Sequence, residues 1–135
     1  MPISSARLSF SKILIVDAST CAVMGALLAF GSHQIGALTA IPPALLFYAG
    51  LSLFPVAVFM AVLAARPAIQ PSVAWLAVWG NALWVAASVV LLGSGWIAPN
   101  ALGIAFIAGQ AFAVAGLAWL QHVALRGSRL ALQAV

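Results

Sequence analysis

Four apolar runs divide this chain: Ser11 to Gly31, Ala44 to Ala65, Val73 to Leu92 and Ala101 to Leu125. Each is long enough to cross a bilayer as a helix, which takes about 20 residues at a rise of about 1.5 Å each. The breaks are equally plain: "GSHQIGALTAIPP", "RPAIQP" and "GSGWIAPN". Pro43, Pro67, Pro71 and Pro99 stand at these joints, where a missing N–H costs least. A run in lipid must satisfy its own backbone hydrogen bonds, and for segments of this length that means a helix. The expected fold is an all-α membrane protein. It is a four-transmembrane-helix bundle in a single domain over 1–135, with helices at about 11–31, 44–65, 73–92 and 101–125. Pro55 falls inside the second run and predicts a kink there.

Composition agrees. The chain is 66% hydrophobic and 4% charged, where a soluble domain carries about 25% charged residues. The apolar run near the N-terminus exceeds the roughly 7–15 residues of a signal-peptide core, so it reads as a retained span. Net charge is +4, but cations scattered at helix ends make no nucleic-acid footprint. They read as topology determinants. Arg7 and Lys12 precede helix one, Arg66 joins helices two and three, and Arg126 and Arg129 follow helix four. Placing both termini in the cytoplasm puts all five inside, as the positive-inside rule prefers. Trp96 and Tyr48 then fall near the outer interface, and Trp75 and Trp119 near the inner one.

Asp17 is the one acidic residue, and it stands inside the first run. A carboxylate at a helix centre costs about 2.5–3.5 kcal/mol on insertion scales and is a functional hypothesis by default. Asp17 follows Lys12 by five residues, roughly 7.5 Å of helix, and the two point to different sides. Depth matching names Trp75, Gln121 and His122 as donors to it. One reading makes Asp17 a structural or docking contact. The other makes it a titrating carboxylate that carries protons or binds a cation.

Each helix has a sparse polar stripe: Asp17, Thr20, Cys21 and Met24 on the first; Tyr48, Ser52 and Pro55 on the second; Asn81, Trp84 and Ser88 on the third; Gly103, Gln110 and Gln121 on the fourth. Hydrocarbon rejects such faces, so all four are expected to turn inward. Asn81 and Gln110 each lie about ten residues into a run, and the depth predicts an amide contact between them near the midplane. Small residues at four-residue spacing, Ala18, Ala22 and Ala26 and also Cys21, Gly25 and Ala29 on helix one, and Ala105, Gly109 and Ala113, then Gly116, on helix four, mark expected close helix contacts.

Little else carries chemistry. His33 and His122 fall on opposite sides of the membrane, and Cys21 is the lone cysteine. The pattern shows no metal set, cofactor motif, nucleophile–base pair or phosphate loop, so no enzyme activity is expected.

The stretches "LIVDASTCAVMGALLAF", "GLSLFPVAVFMAVLAARP" and "GNALWVAASVVLLGSGWIAPNALGIAFIAGQAFA" resemble small, uncharacterised four-span bacterial inner-membrane proteins. That resemblance implies a multi-pass protein of the bacterial inner (cytoplasmic) membrane, with Asp17, Asn81 and Trp84 at signature positions. The architecture also resembles the small multidrug resistance transporters, which have four short spans and one acid in helix one. That likeness implies Asp17 as the proton- and drug-coupled carboxylate of a dimer. The transporters carry Glu there, and their Gly-rich packing motif has no counterpart in "VWGNALWVAASVVLL"; the likeness is one of topology. The leading expectation is a non-enzymatic accessory or assembly subunit. It would act through helix contacts with the bilayer, with other membrane subunits or with itself. The alternative is an oligomeric, proton-coupled small transporter or channel using Asp17.

Overall fold

The computed structural model describes residues 2–133, with side chains described from 9 to 127. Among the described residues there are five helices and no strand: α1 (Pro2–Phe30), α2 (Ser32–Thr39), α3 (Pro43–Ala65), α4 (Pro71–Ser94) and α5 (Ala101–Gln133). Four segments are long and apolar enough to span a membrane: Ser9–Phe30, Pro43–Ala65, Pro71–Ser94 and Ala101–Gly127. The four-span helical bundle expected from hydropathy is therefore present. Both α1 and α5 run on beyond their apolar portions. Arg7 and Arg129 lie on these extensions, and their side chains fall outside the described ones.

The addition is α2, where a loop was expected. Gly31 breaks α1, and the chain immediately resumes helical hydrogen bonding from Ile35 N–H to Gly31 C=O at 2.8 Å. It ends at Ala40, which adopts the left-handed conformation (φ 57°) and donates its N–H to Gly36 C=O. Ile41 and Pro43 then fold back over Gly36, where a Cβ would meet both at 2.9 Å. Glycine is required for that close approach.

Around the bundle, α1 packs against α3 and α5, and α5 packs against α4. The α1–α3 crossing is tight: a Cβ on Gly50 would lie 2.7 Å from the Ala29 nitrogen and 2.8 Å from the Gly25 carbonyl oxygen. Small residues thus bring the two backbones together, as they commonly do in membranes. The buried face of α3 is Leu46, Gly50, Leu53, Ala57, Met60 and Leu63, at three- and four-residue steps. The stripe of Tyr48, Ser52 and Pro55 faces outward instead of inward, with Tyr48 68% exposed. The Ser52 hydroxyl donates to Ala49 C=O at 2.7 Å, so its own helix satisfies it and lipid does not penalise it. The helix continues unbroken through Pro55.

The small-residue faces divide likewise. Gly25 and Ala18 are buried, and Ala22 is partly so. Gly109 and Gly116 are exposed, and a Cβ on either would meet nothing within 4 Å. Contrary to expectation they make no close contact within the chain, because α5 turns Ile107, Ala111 and Gln121 inward.

Two apolar clusters fill the interior. Near the termini, Phe10, Leu14, Ala18, Met60, Leu63, Ala74 and Ala77 pack together. Toward α2, Cys21, Leu28, Ile41, Leu46, Leu53, Ala57 and Ile107 do so. The backbones of α3 and α4, consecutive in the chain, do not approach closely.

The candidate intramembrane site at Asp17

Asp17 is held in the span by side chains from three helices. Its Oδ2 accepts from Asn81 Nδ2 of α4 at 2.6 Å and from Gln121 Nε2 of α5 at 2.7 Å. The second N–H of Asn81 reaches Gln121 Oε1 at 3.2 Å, closing the triangle. On the other carboxyl oxygen, Oδ1, the contact is Cys21 Sγ at 3.6 Å, one helical turn along α1. Asp17 is 1% exposed and Gln121 0%.

Every one of these partners is uncharged, and among the described residues no ion pair reaches Asp17. A buried carboxylate without a cation is held by hydrogen bonding alone, and burying such a charge costs several kcal/mol of desolvation, as an order of magnitude. Oδ2 is already engaged by two N–H donors.

A cavity of about 140 Å³ is lined by Asp17, Thr20, Cys21 and Met24 of α1, Leu53 and Val56 of α3, Gly80, Asn81 and Trp84 of α4, and Gln110, Ala113, Val114 and Leu117 of α5. Gln121 is absent from that lining and stands behind the carboxylate, whereas Cys21, the neighbour of Oδ1, belongs to it. Among the described residues no buried side-chain nitrogen or oxygen lacks a partner. The amide side chains of Asn81 and Gln110 both line this cavity. Its polar lining is thus a carboxyl group, two amides, the Thr20 hydroxyl, the Cys21 thiol and the Trp84 indole among otherwise apolar walls.

Of the donors named for Asp17, Gln121 is the partner. His122 is not. Its ring lies edge-on to Trp75 (centroids 5.4 Å apart) and nearly parallel to Trp119 (5.9 Å), in an aromatic cluster of its own. Trp75 faces that cluster. The expected Asn81–Gln110 contact is absent. Asn81 turns to Asp17 and Gln121, and Gln110 Oε1 accepts from Trp84 Nε1 at 2.9 Å. Asn81 and Trp84 sit one turn apart on α4, so each takes a different glutamine of α5. Cys21 stands four residues from Asp17 on α1, the spacing that puts the two side chains on one face of the helix.

Outside this site, α2 is tied to the start of α5. Asn100 donates its backbone N–H to Thr39 C=O at 3.0 Å and its side-chain amide to Leu38 C=O at 2.8 Å, and its Oδ1 caps Gly103 N–H at 2.9 Å. Among the described residues no group of three or more His, Cys, Asp or Glu is placed to hold a metal.

No protein-family model, curated protein or solved structure matches the chain. Both resemblances read from the sequence stay at the level of topology.

Proposed function

We propose that this four-span protein is a small proton-coupled carrier whose working group is Asp17, and that it acts by binding and exchange without covalent chemistry. The observation that carries the reading is a buried carboxylate held by two amide donors, with no ion-pair partner among the described residues, in the wall of a cavity. Amides alone can clasp three helices. A carboxylate adds ionisation, which a purely structural clasp does not need and which lipid makes expensive. A proton on Asp17, or a small cation beside it, supplies the missing charge in alternation. Thr20, Met24 and Trp84 form much of the wall against which an occupant would rest. The arrangement belongs in a bacterial inner membrane with both termini cytoplasmic, by the distribution of Lys and Arg.

The test is proton release. Purified protein in weak buffer with a pH dye is titrated with ethylammonium and with tetramethylammonium. Wild type is expected to release up to one proton per chain with at least one of them, and Asp17→Asn none. Equal signals from both proteins defeat the carrier.

A second reading, an accessory subunit or homo-oligomer, draws on Gly109 and Gly116 of α5, exposed and uncovered. Co-purification of a stoichiometric membrane partner, with no Asp17-dependent proton release, would favour it.

A further inference from the structure

The Asp17 chamber does not stand alone. A second cavity, about 130 Å³, lies on its α2 side, with Leu28, Ile41, Leu46, Ser88 and Ile107 in its walls. Trp84 and Gln110 line both cavities. The hydrogen bond between them, 2.9 Å from indole N–H to amide oxygen, therefore crosses the partition.

We propose that the Trp84–Gln110 pair is a gate that controls aqueous access from the α2 end of the bundle to Asp17. Closed, it separates the two cavities along the bundle axis, while the Asp17 cavity stays partly open sideways at exposed Thr20, Val56 and Gly80. Open, it joins them into one path that ends at Asp17. This does not depend on what Asp17 binds, and it stands or falls apart from the carrier reading.

Three features support movement here. The partition is held by one neutral hydrogen bond, and in membranes such a bond shifts an equilibrium by only about 3- to 15-fold. Gln110 lines both cavities, so its amide can hold water when the indole leaves. Finally, helical side chains lean toward the preceding turn, and one turn before Trp84 stands Gly80. It is exposed, with nothing within 4 Å of where a Cβ would be. The indole has bare helix surface at Gly80, in the wall of the Asp17 cavity, onto which to turn.

The chain carries its own reporter, because Cys21, its one cysteine, lines the Asp17 chamber. The probe is the membrane-impermeant cationic reagent 2-(trimethylammonium)ethyl methanethiosulfonate, added from the α2 side to full-length protein in liposomes, with modification followed by mass. Cationic charge keeps it out of hydrocarbon, so it must arrive through water. Trp84→Phe keeps the ring and loses the donor; Gln110→Leu removes the acceptor and serves if the first variant folds poorly. Each is expected to raise the rate at Cys21 by about 3- to 15-fold over wild type. Ser88→Cys in a Cys21→Ser background is expected to react readily in either gate state, since it stands in the outer chamber. Unchanged Cys21 rates in both variants overturn the gate. So does an unreactive Ser88→Cys, which denies the aqueous path. An equal rise with reagent added from the termini side marks general loosening and overturns it as well.

Discussion

Asn81 Nδ2 lies 2.6 Å from Asp17 Oδ2 and joins α4 to α1, two helices whose backbones make little direct contact. With Gln121 behind it, this bond sits between the two apolar clusters of the interior. Charge and packing can be separated by substitution. Asp17→Asn keeps the shape and one oxygen able to accept from both amides. It is expected to leave stability within about 1 kcal/mol, since hydrogen bonds to neutral groups differ from charged ones by about that much. Asp17→Leu leaves two buried amides short of an acceptor, and a loss of about 1–3 kcal/mol for each group left unsatisfied is expected. Reversible unfolding in mixed detergent micelles checks both. Equal stability of wild type and Asp17→Leu would show that the triad contributes nothing to folding.

The triad is also expected to be cooperative. Asn81 and Gln121 bond each other as well as Asp17, so removing one loosens the other. A double-mutant cycle on Asn81→Ala and Gln121→Ala is expected to give a coupling of about 0.5–2 kcal/mol, within the range for contacting residues and for membrane hydrogen bonds. Strict additivity would separate the two contacts.

How much of this was legible depends on which residue is asked. The spans were, because lipid imposes a length and a hydropathy that Leu, Val and Ala runs announce directly. That Asp17 turns inward and meets Gln121 followed from depth. That it meets Asn81 did not, because depth was counted from Lys12. Lys12 stands inside α1, which begins at Pro2, and so does not mark the level at which the span starts. The short helix α2 was hidden by its Gly, His and Gln content, since its order comes from Asn100 and from Pro43 folding over Gly36. Spacing of small residues says what a helix face permits and not which neighbour uses it. Hence Gly25 found Gly50, while Gly109 found nothing within the chain.

That difference is measurable. Gly50→Ala places a methyl 2.7 Å from the Ala29 nitrogen and 2.8 Å from the Gly25 oxygen, both backbone atoms. Overpacking of this kind costs typically 1–3 kcal/mol, about the upper part of which is expected where only backbone can yield. Gly109→Ala and Gly116→Ala meet no atom within 4 Å, and each is expected to be neutral or slightly stabilising through helix propensity, by up to about 1 kcal/mol. A melting series in one detergent ranks the three. Destabilisation by Gly109→Ala that grows with protein concentration would instead reveal a neighbouring chain on that face.

Asn100 offers a test of the α2 end. Its side chain caps α5 through Gly103 N–H and holds Leu38 C=O. Asn100→Ala is expected to cost about 0.5–2 kcal/mol, the usual range for a lost N-cap. Amide hydrogen exchange in α2 should rise with it, while the Asp17 region stays protected. Asn100→Ser retains a capping oxygen and is expected to recover the α5 part only. Uniform exchange across the chain in Asn100→Ala would mean that α2 is not a separable element.

Orientation in the membrane is the last expectation, and it fixes the direction of any transport. Lys12, Arg66 and Arg126 are exposed at the end of the bundle that carries the termini, whereas His33 of α2 and Trp96 are exposed at the opposite end. Among the described residues the α2 end carries no Lys or Arg. Cytoplasmic loops hold the excess of Lys and Arg, so α2 belongs outside. In a Cys21→Ser background, which keeps a donor beside Asp17, His33→Cys is expected to react with an impermeant maleimide in intact cells. Arg66→Cys is expected to react only once the membrane is opened. A reaction at position 66 and not 33 in intact cells would invert the protein. The gate between Trp84 and Gln110 would then face the cytoplasm, and protons held at Asp17 would be exchanged with the cytoplasm through it.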